Sequence, residues 1–202
     1  MGFCNIFKEK IVYTYIVQEL KEKTDNELVV LVRQNPEALS YIMDRYKGKL
    51  ERYIARRTNF DPSDREDILQ DVFIKVYLNI NDYDESLIFS SWIYRITYNY
   101  LIDWHRKNKK HIGISLDDAD SKLVHILEDE NIRVDEQSLI DAERIEIVKQ
   151  EIKKLPQGYQ DILILKFFED KSYEEISDIL KISTSSVGVK INRAKKILKQ
   201  TI

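Results

Sequence analysis

The 202-residue chain holds one cysteine, three prolines and five glycines. Cys4 alone cannot close an internal disulfide, and with His105, His111 and His125 scattered along the sequence it makes no metal-ligand spacing. So few turn-formers argue against a sheet built on many tight reversals, while 43% hydrophobic and 33% charged residues suit a soluble, helix-rich protein. No apolar run approaches the roughly 20 residues that span a bilayer. The short run at 11–17 lies between Lys8, Lys10, Lys21 and Lys23 and lacks a small-residue cleavage site. Met1-Gly2 opens like a myristoylation signal, but Ile6 stands where Ser or Thr is needed. These absences predict a cytoplasmic protein with no membrane insertion. The sequence also lacks a phosphate-cradling glycine loop and a nucleophile–base pair, so no enzyme activity, cofactor or metal is expected.

What is present is an uneven charge distribution. The net charge of −3 looks wrong for a nucleic-acid binder, yet residues 95–111 carry five Lys/Arg against one acid. Residues 112–136 carry eight acids against two bases, and residues 181–202 carry six bases and no acid. Two cationic patches flank one anionic segment.

Hydrophobic periodicity predicts helices throughout. One starts at Asp25-Asn-Glu-Leu and leads into Leu28, Leu31 and Val32. A second runs from Pro36 through Leu39, Ile42, Met43, Tyr46, Leu50, Tyr53 and Ile54. Asp61 caps a third, with Ile68, Leu69, Val72, Phe73, Val76, Tyr77 and Ile80 on its inner side. After the polar loop 81–86 comes the most informative stretch, 89–110. Ile93, Ile96, Thr97, Tyr100, Leu101 and Trp104 form a stripe to be buried, while Arg95, Asn99, Asp103 and Arg106 fall on the other side. Cations hold phosphates, and amides and rings meet unpaired bases, so this face suits opened DNA as well as it suits a plain amphipathic helix with a solvated basic end.

The acidic segment 112–136 has no sustained period and is expected to be an extended linker. A second helical domain follows from about Gln137. Leu155-Pro-Gln-Gly ends one helix, and 159–168 make another with Ile162, Leu163, Leu165 and Phe168. Ser172-Tyr-Glu-Glu175 fits a capping box ahead of a short helix burying Ile176, Ile179 and Leu180. After the turn Lys181-Ile-Ser183, a final helix buries Val187, Ile191, Ala194 and Leu198. Its opposite face shows Ser185, Val189, Asn192, Arg193 and Lys196. That pair has the proportions of a helix-turn-helix, whose second helix reads base edges in a major groove; an ordinary surface helix would look similar.

Several motifs together resemble the sigma-70 family of RNA polymerase sigma factors, specifically the small extracytoplasmic-function group, which keeps the promoter-binding regions 2 and 4. They are Glu66-Asp-Ile-Leu-Gln-Asp-Val-Phe73, Phe89-Ser-Ser-Trp-Ile-Tyr-Arg-Ile-Thr-Tyr-Asn-Tyr-Leu-Ile-Asp103, Leu155-Pro, and Tyr173-Glu-Glu-Ile-Ser-Asp-Ile-Leu180 followed by Val187 and Arg193-Ala-Lys. Their order and spacing cover residues 25–202. The resemblance implies an all-α fold of two small helical domains: an N-terminal extension (1–24), region 2 (25–111), the acidic linker (112–136) and region 4 (137–202).

The resemblance also implies partners and roles. Core RNA polymerase and promoter DNA are the expected partners, with an anti-sigma factor as a further candidate. Asp67, Gln70 and Asp71 would contact the polymerase; the alternative is a solvated, dipole-favoured helix start. The loop 83–88, including Tyr83 and Ser86, would capture a base flipped from the −10 element. Arg95, Asn99 and Asp103 would read that strand, and Arg106 and Lys107 would hold phosphates. Phe89 and Trp92 are candidates for base stacking or for packing the loop onto the core. Asp103 is a candidate to accept from cytosine or to brace Arg106. Ser185, Ser186, Val189, Lys190, Asn192, Arg193 and Lys196 would meet the −35 element, with Gly188 standing where relatives often carry Arg or Lys. The acidic linker would thread the polymerase cleft or serve as a solvated tether. Two other classes compete: a stand-alone DNA-binding regulator, and a metal-dependent nuclease using Glu66, Asp67 and Asp71.

Overall fold

A computed structural model describes residues 20, 22–108, 116 and 142–201. All regular structure among them is helical. α1 (Asp25–Gln34) leads through a 3-10 turn (Pro36–Ala38) into α2 (Leu39–Arg57), followed by α3 (Pro62–Asn79), a second 3-10 turn (Ile80–Asp82) and α4 (Phe89–Asn108). The second group comprises α5 (Ala142–Lys154), α6 (Gln157–Leu163) running into a π-helical stretch (Ile164–Phe168), α7 (Tyr173–Leu180) and α8 (Thr184–Thr201).

Local chemistry sets the helix starts. Asp61 accepts from the Asp64 amide at 2.9 Å, ahead of Pro62 in the first turn. Ser172 and Glu175 close the expected capping box, with bonds of 3.1 and 2.9 Å. The first helix starts at Asp25, as its sequence suggests. Thr24 is the cap, in a capping box with Glu27, and Asp25 pairs with Arg45 at 2.7 Å.

Leu28, Ile42, Leu50, Ile54, Ile68, Val72, Ile93, Thr97 and Leu101 form the center of the first group. Val187, Ile191, Ala194 and Leu198 bury the expected face of α8. Tyr77 departs from its expected inner position and is 41% exposed, because the inward stripe of α3 passes from Phe73 and Val76 to Ile80.

The two groups pack directly on each other through α4 and α7, a contact the sequence does not announce. The expected N-terminal extension and acidic linker lie outside the described residues, apart from Leu20, residues 22–24 and Leu116. Leu116 is fully buried. Among the described residues no helix is long and apolar enough to cross a membrane, and no cluster of His, Cys, Asp or Glu is arranged to hold a metal.

Candidate nucleic-acid interface

The loop between α3 and α4 is fastened from below by α1. Arg33 donates to the Tyr83 carbonyl at 2.6 Å and to the Ile80 carbonyl at 3.2 and 3.3 Å, and it pairs with Glu85. Asn26 donates to the Glu85 carbonyl at 2.9 Å. The Tyr83 hydroxyl donates to the Leu87 carbonyl and lies 2.9 Å from Asn26 Oδ1. Burial, reinforced by Asp25, Glu85 and Asp84, pushes that phenol up to about 12. At the loop tip Asp84 accepts from the Ser86 amide at 2.9 Å, which holds its carboxyl below the usual range. The result is a braced loop that displays Ser86, Leu87 and Ile88 to solvent.

Beneath it lies an aromatic floor. Tyr83, Phe89 and Trp92 are 3%, 2% and 7% exposed. Their ring centroids stand 5.2 to 5.4 Å apart, and Tyr46 meets Phe89 edge-on at 5.6 Å. Such geometry rigidifies the loop base. It places Tyr83 and Phe89 inside the fold, while an edge of Trp92 still reaches an open groove.

That groove, of about 250 Å³, runs between α3 and α4 and is lined by Lys75, Asn79, Asp82, Trp92, Ile96, Asn99, Tyr100 and Asp103. Three residues expected to meet DNA (Trp92, Asn99 and Asp103) therefore converge on one depression. Lys75, which the sequence did not single out, supplies a cation there, with its ammonium 5.6 Å from the Tyr100 ring centroid. Asp103 pairs with Arg106 at 3.0 Å. Both side chains are largely exposed, so this brace contributes little to stability. Arg95 is half-buried, and Arg106 and Lys107 are exposed on the continuing helix.

On α3, Asp67, Gln70 and Asp71 are all exposed. The Tyr100 hydroxyl donates to Asp71, and burial together with that carboxylate pushes the phenol up. The same face continues into Ile74 and Leu78, 55% and 68% exposed. One helix side thus passes from acidic to apolar, outside the inward stripe that helical period marks.

In the second group, Lys181 adopts the left-handed conformation (φ 54°) at the turn between α7 and α8. The Ser186 amide donates to Ser183 Oγ at 3.2 Å at the start of α8. Ser185, Val189, Asn192, Arg193 and Lys196 are exposed along one side, and Ser186 is half-buried. Lys190 turns away from them; its ammonium would stand 3.4 Å from a Cβ placed on Gly158. Gly188 faces the edge of Tyr173, where an added Cβ would make an ordinary contact at 3.5 Å.

A braced loop over a polar groove, joined to a separate helix-turn-helix, defines a two-part DNA-binding protein. Residues 42–111 match the model of Sigma-70 region 2, and residues 145–198 match that of Sigma-70, region 4. The chain is 31% identical over 170 residues to the ECF RNA polymerase sigma factor SigW of Bacillus subtilis, covering 82% of this chain and 89% of that one. It is 28% identical over 193 residues to the ECF RNA polymerase sigma-E factor of Haemophilus influenzae, covering 90% and 97%. The fold is similar to that of CnrH, solved in complex with the cytosolic domain of CnrY, with a TM-score of 0.61 at 20% identity over 87% of this chain and 95% of that one. The chain belongs to the sigma-70 family, in its extracytoplasmic-function group. It is a promoter-recognising sigma subunit that binds core RNA polymerase and promotes DNA opening.

Proposed function

We propose that promoter engagement is divided among three surfaces of this chain: the α3 face for core polymerase, the loop and α3–α4 groove for the −10 strand, and α8 for the −35 duplex. The observation that carries the reading is the meeting of Asn99, Asp103 and Lys75 with the edge of Trp92 in one groove beside the braced loop. Extruding a base costs a few kcal/mol, and a pre-formed pocket with polar edges offsets that cost. Asn99 and Asp103 offer donor and acceptor groups to a base, while Lys75, Arg95, Arg106 and Lys107 attract phosphates. Ser86 presents its hydroxyl at the loop tip. Tyr83, Phe89 and Trp92 act mainly as the floor that keeps the loop rigid.

On α8, Asn192 and Arg193 read base edges, Val189 offers an apolar contact, and Ser185, Ser186 and Lys196 position the backbone. Lys190 serves the duplex only after swinging away from Gly158. Asp67, Gln70 and Asp71 grip polymerase, with Ile74 and Leu78 adding apolar area. The functional units are residues 25–111 and 137–202. The chain works in the cytoplasm and has no catalysis of its own, because phosphodiester chemistry belongs to the polymerase. A solved relative from Bartonella quintana is in complex with the anti-sigma factor NepR, and an anti-sigma factor is proposed as a partner here too.

Reconstitution with core polymerase tests the reading. Run-off transcripts are expected from candidate promoters only when the chain is present, and tight promoter binding is expected only with polymerase. Failure to bind core, or tight promoter binding by the chain alone, overturns it.

A further inference from the structure

The α3 side of the groove between α3 and α4 is formed by Lys75, Asn79 and Asp82. Asn79 spends its amide nitrogen on the Lys75 carbonyl of its own helix at 2.7 Å. A carbonyl accepts only from the NH2 group, so Asn79 Oδ1 is the end left for a ligand. Asp82 has neither a hydrogen bond nor an ion pair among the described residues. Both acceptors stand at the C-terminal end of α3 and the turn that follows, where the negative end of the helix dipole favours an incoming donor.

Across the groove, the Tyr100 hydroxyl has turned its hydrogen to Asp71, and Asp103 keeps one oxygen beyond its bond to Arg106. Asn99 brings both a donor and an acceptor. Charge makes the same point. The carboxylates of Asp82 and Asp103 offset the cations of Lys75 and Arg106. A track for phosphates is strongly cationic, so this lining as a whole suits a base edge, and one rich in N–H groups.

We propose that this groove selects guanine among the unpaired bases of the −10 strand, with Asp82 as a specificity-determining residue. The proposal rests on the promoter reading above. Among the DNA bases guanine alone carries two adjacent N–H donors on its Watson–Crick edge, N1–H and the N2 amine, beside one acceptor, O6. The Asn79 and Asp82 oxygens accept from the two donors, and O6 finds donors on either wall in Lys75 and Asn99. Thymine sets two carbonyls around a single N–H, and one of them would face the Asp82 carboxylate with no hydrogen between. Cytosine and adenine each bring one amine beside an acceptor nitrogen, which leaves one of the two protein acceptors without a donor. The Trp92 edge and Ile96 give the ring apolar contact, of which a purine covers more than a pyrimidine. A well-made pair of such bonds discriminates against the wrong base by roughly tenfold.

The test uses holoenzyme reconstituted from core polymerase and the full chain, with a single-stranded DNA library of random sequence. Selected strands are expected to converge on a motif with guanine at one position. There thymine should bind roughly tenfold more weakly, and inosine, which lacks only the N2 amine, should fall between them. Guanine with N7 replaced by carbon keeps its Watson–Crick edge and should bind as guanine does. In Asp82→Ala, guanine and inosine should become equal at that position, with preferences elsewhere in the motif kept. Asp82→Asn, whose amide donates as well as accepts, should readmit thymine. Asp82 is exposed, so neither substitution disturbs the core. A motif without guanine overturns the proposal, as does a difference between guanine and inosine that survives Asp82→Ala. Failure of the holoenzyme to form, or selection that yields no motif, instead rejects the promoter reading beneath it.

Discussion

Replacing Arg33 with alanine should loosen the base-capturing loop without disturbing the polymerase grip. Arg33 is about a quarter exposed and bonds two carbonyls, those of Ile80 and Tyr83, through a charged guanidinium. Charge-assisted hydrogen bonds contribute about 1.5–3 kcal/mol each. The pair with Glu85, whose side chain is 44% exposed, adds at most about 1 kcal/mol after screening. Taking the low end for both carbonyls gives about 3 kcal/mol of local ordering, or roughly a hundredfold in the loop's opening equilibrium. Hydrogen exchange reads this directly. The Leu87 amide donates to the Asp84 carbonyl at 3.0 Å and the Ser86 amide to Asp84 Oδ1 at 2.9 Å. Both should exchange roughly a hundredfold faster in Arg33→Ala, while amides around Leu50 and Ile54 stay protected. Promoter opening should weaken and core affinity should hold. Arg33→Lys should rescue only part of the loss, because an ammonium cannot reproduce the planar fork that spans both carbonyls. Unchanged protection at Leu87 and Ser86 would refute the bracing role.

Asn99→Ala should impair promoter opening more than core binding, and Asp71→Ala should do the reverse; Tyr100→Phe, which removes only the hydroxyl resting on Asp71, separates loss of that bond from loss of the carboxylate. Equal losses in both assays for both variants would contradict the assignment. On α8, Lys196→Ala should weaken duplex binding by the polymerase complex across all sequences and reduce its salt slope by about one, whereas Arg193→Ala should relax preference at one base position. Alkaline pH should loosen the loop base. Tyr83 is raised from about 10 to about 12, so its contribution is whole below pH 10 and is lost as pH climbs through 12. Thermal melts across that window should lose stability less steeply in Tyr83→Phe, and an identical slope would exclude a role for this phenol.

Much of this architecture is legible because it is local. Asp61 and Ser172 announce their caps within three residues, and Val187, Ile191, Ala194 and Leu198 mark a buried face by period alone. The cap of α1 shows how narrow the local margin is. Thr24 and Asp25 are both good caps, and the choice turns on Asp25 being taken by Arg45 and Tyr46. Less legible are residues whose partners lie far along the chain. Tyr94 and Tyr98 follow helical spacing as faithfully as the main stripe of α4, but the groups they face, Glu169 and Asp161, sit 75 and 63 residues away. Arg57 at the end of α2 reads as an ordinary dipole-complementing cation until its burial is seen. Asn26 and Arg33 are illegible for the same reason: their service to the loop crosses more than 45 residues.

The π-helical stretch Ile164–Phe168 gives the second domain a feature of register. In a regular α-helix seven residues complete about two turns, so the position aligned with Asp161 would be Phe168. The wider turn, marked by the Glu169 amide reaching back to the Ile164 carbonyl at 3.1 Å, takes up one extra residue. That residue corresponds to about 100° of helical rotation, and it is Glu169 that comes round to meet Arg56 and Tyr94. Winding that stretch as a regular α-helix with the sequence unchanged would leave every charged group in place yet swing Glu169 out of reach, whereas deleting one of its residues would let a regular helix keep Glu169 aligned with Asp161. The pairing of Glu169 with Arg56 and Tyr94 is thus encoded in how the backbone of Ile164–Phe168 winds as firmly as in the side chains themselves.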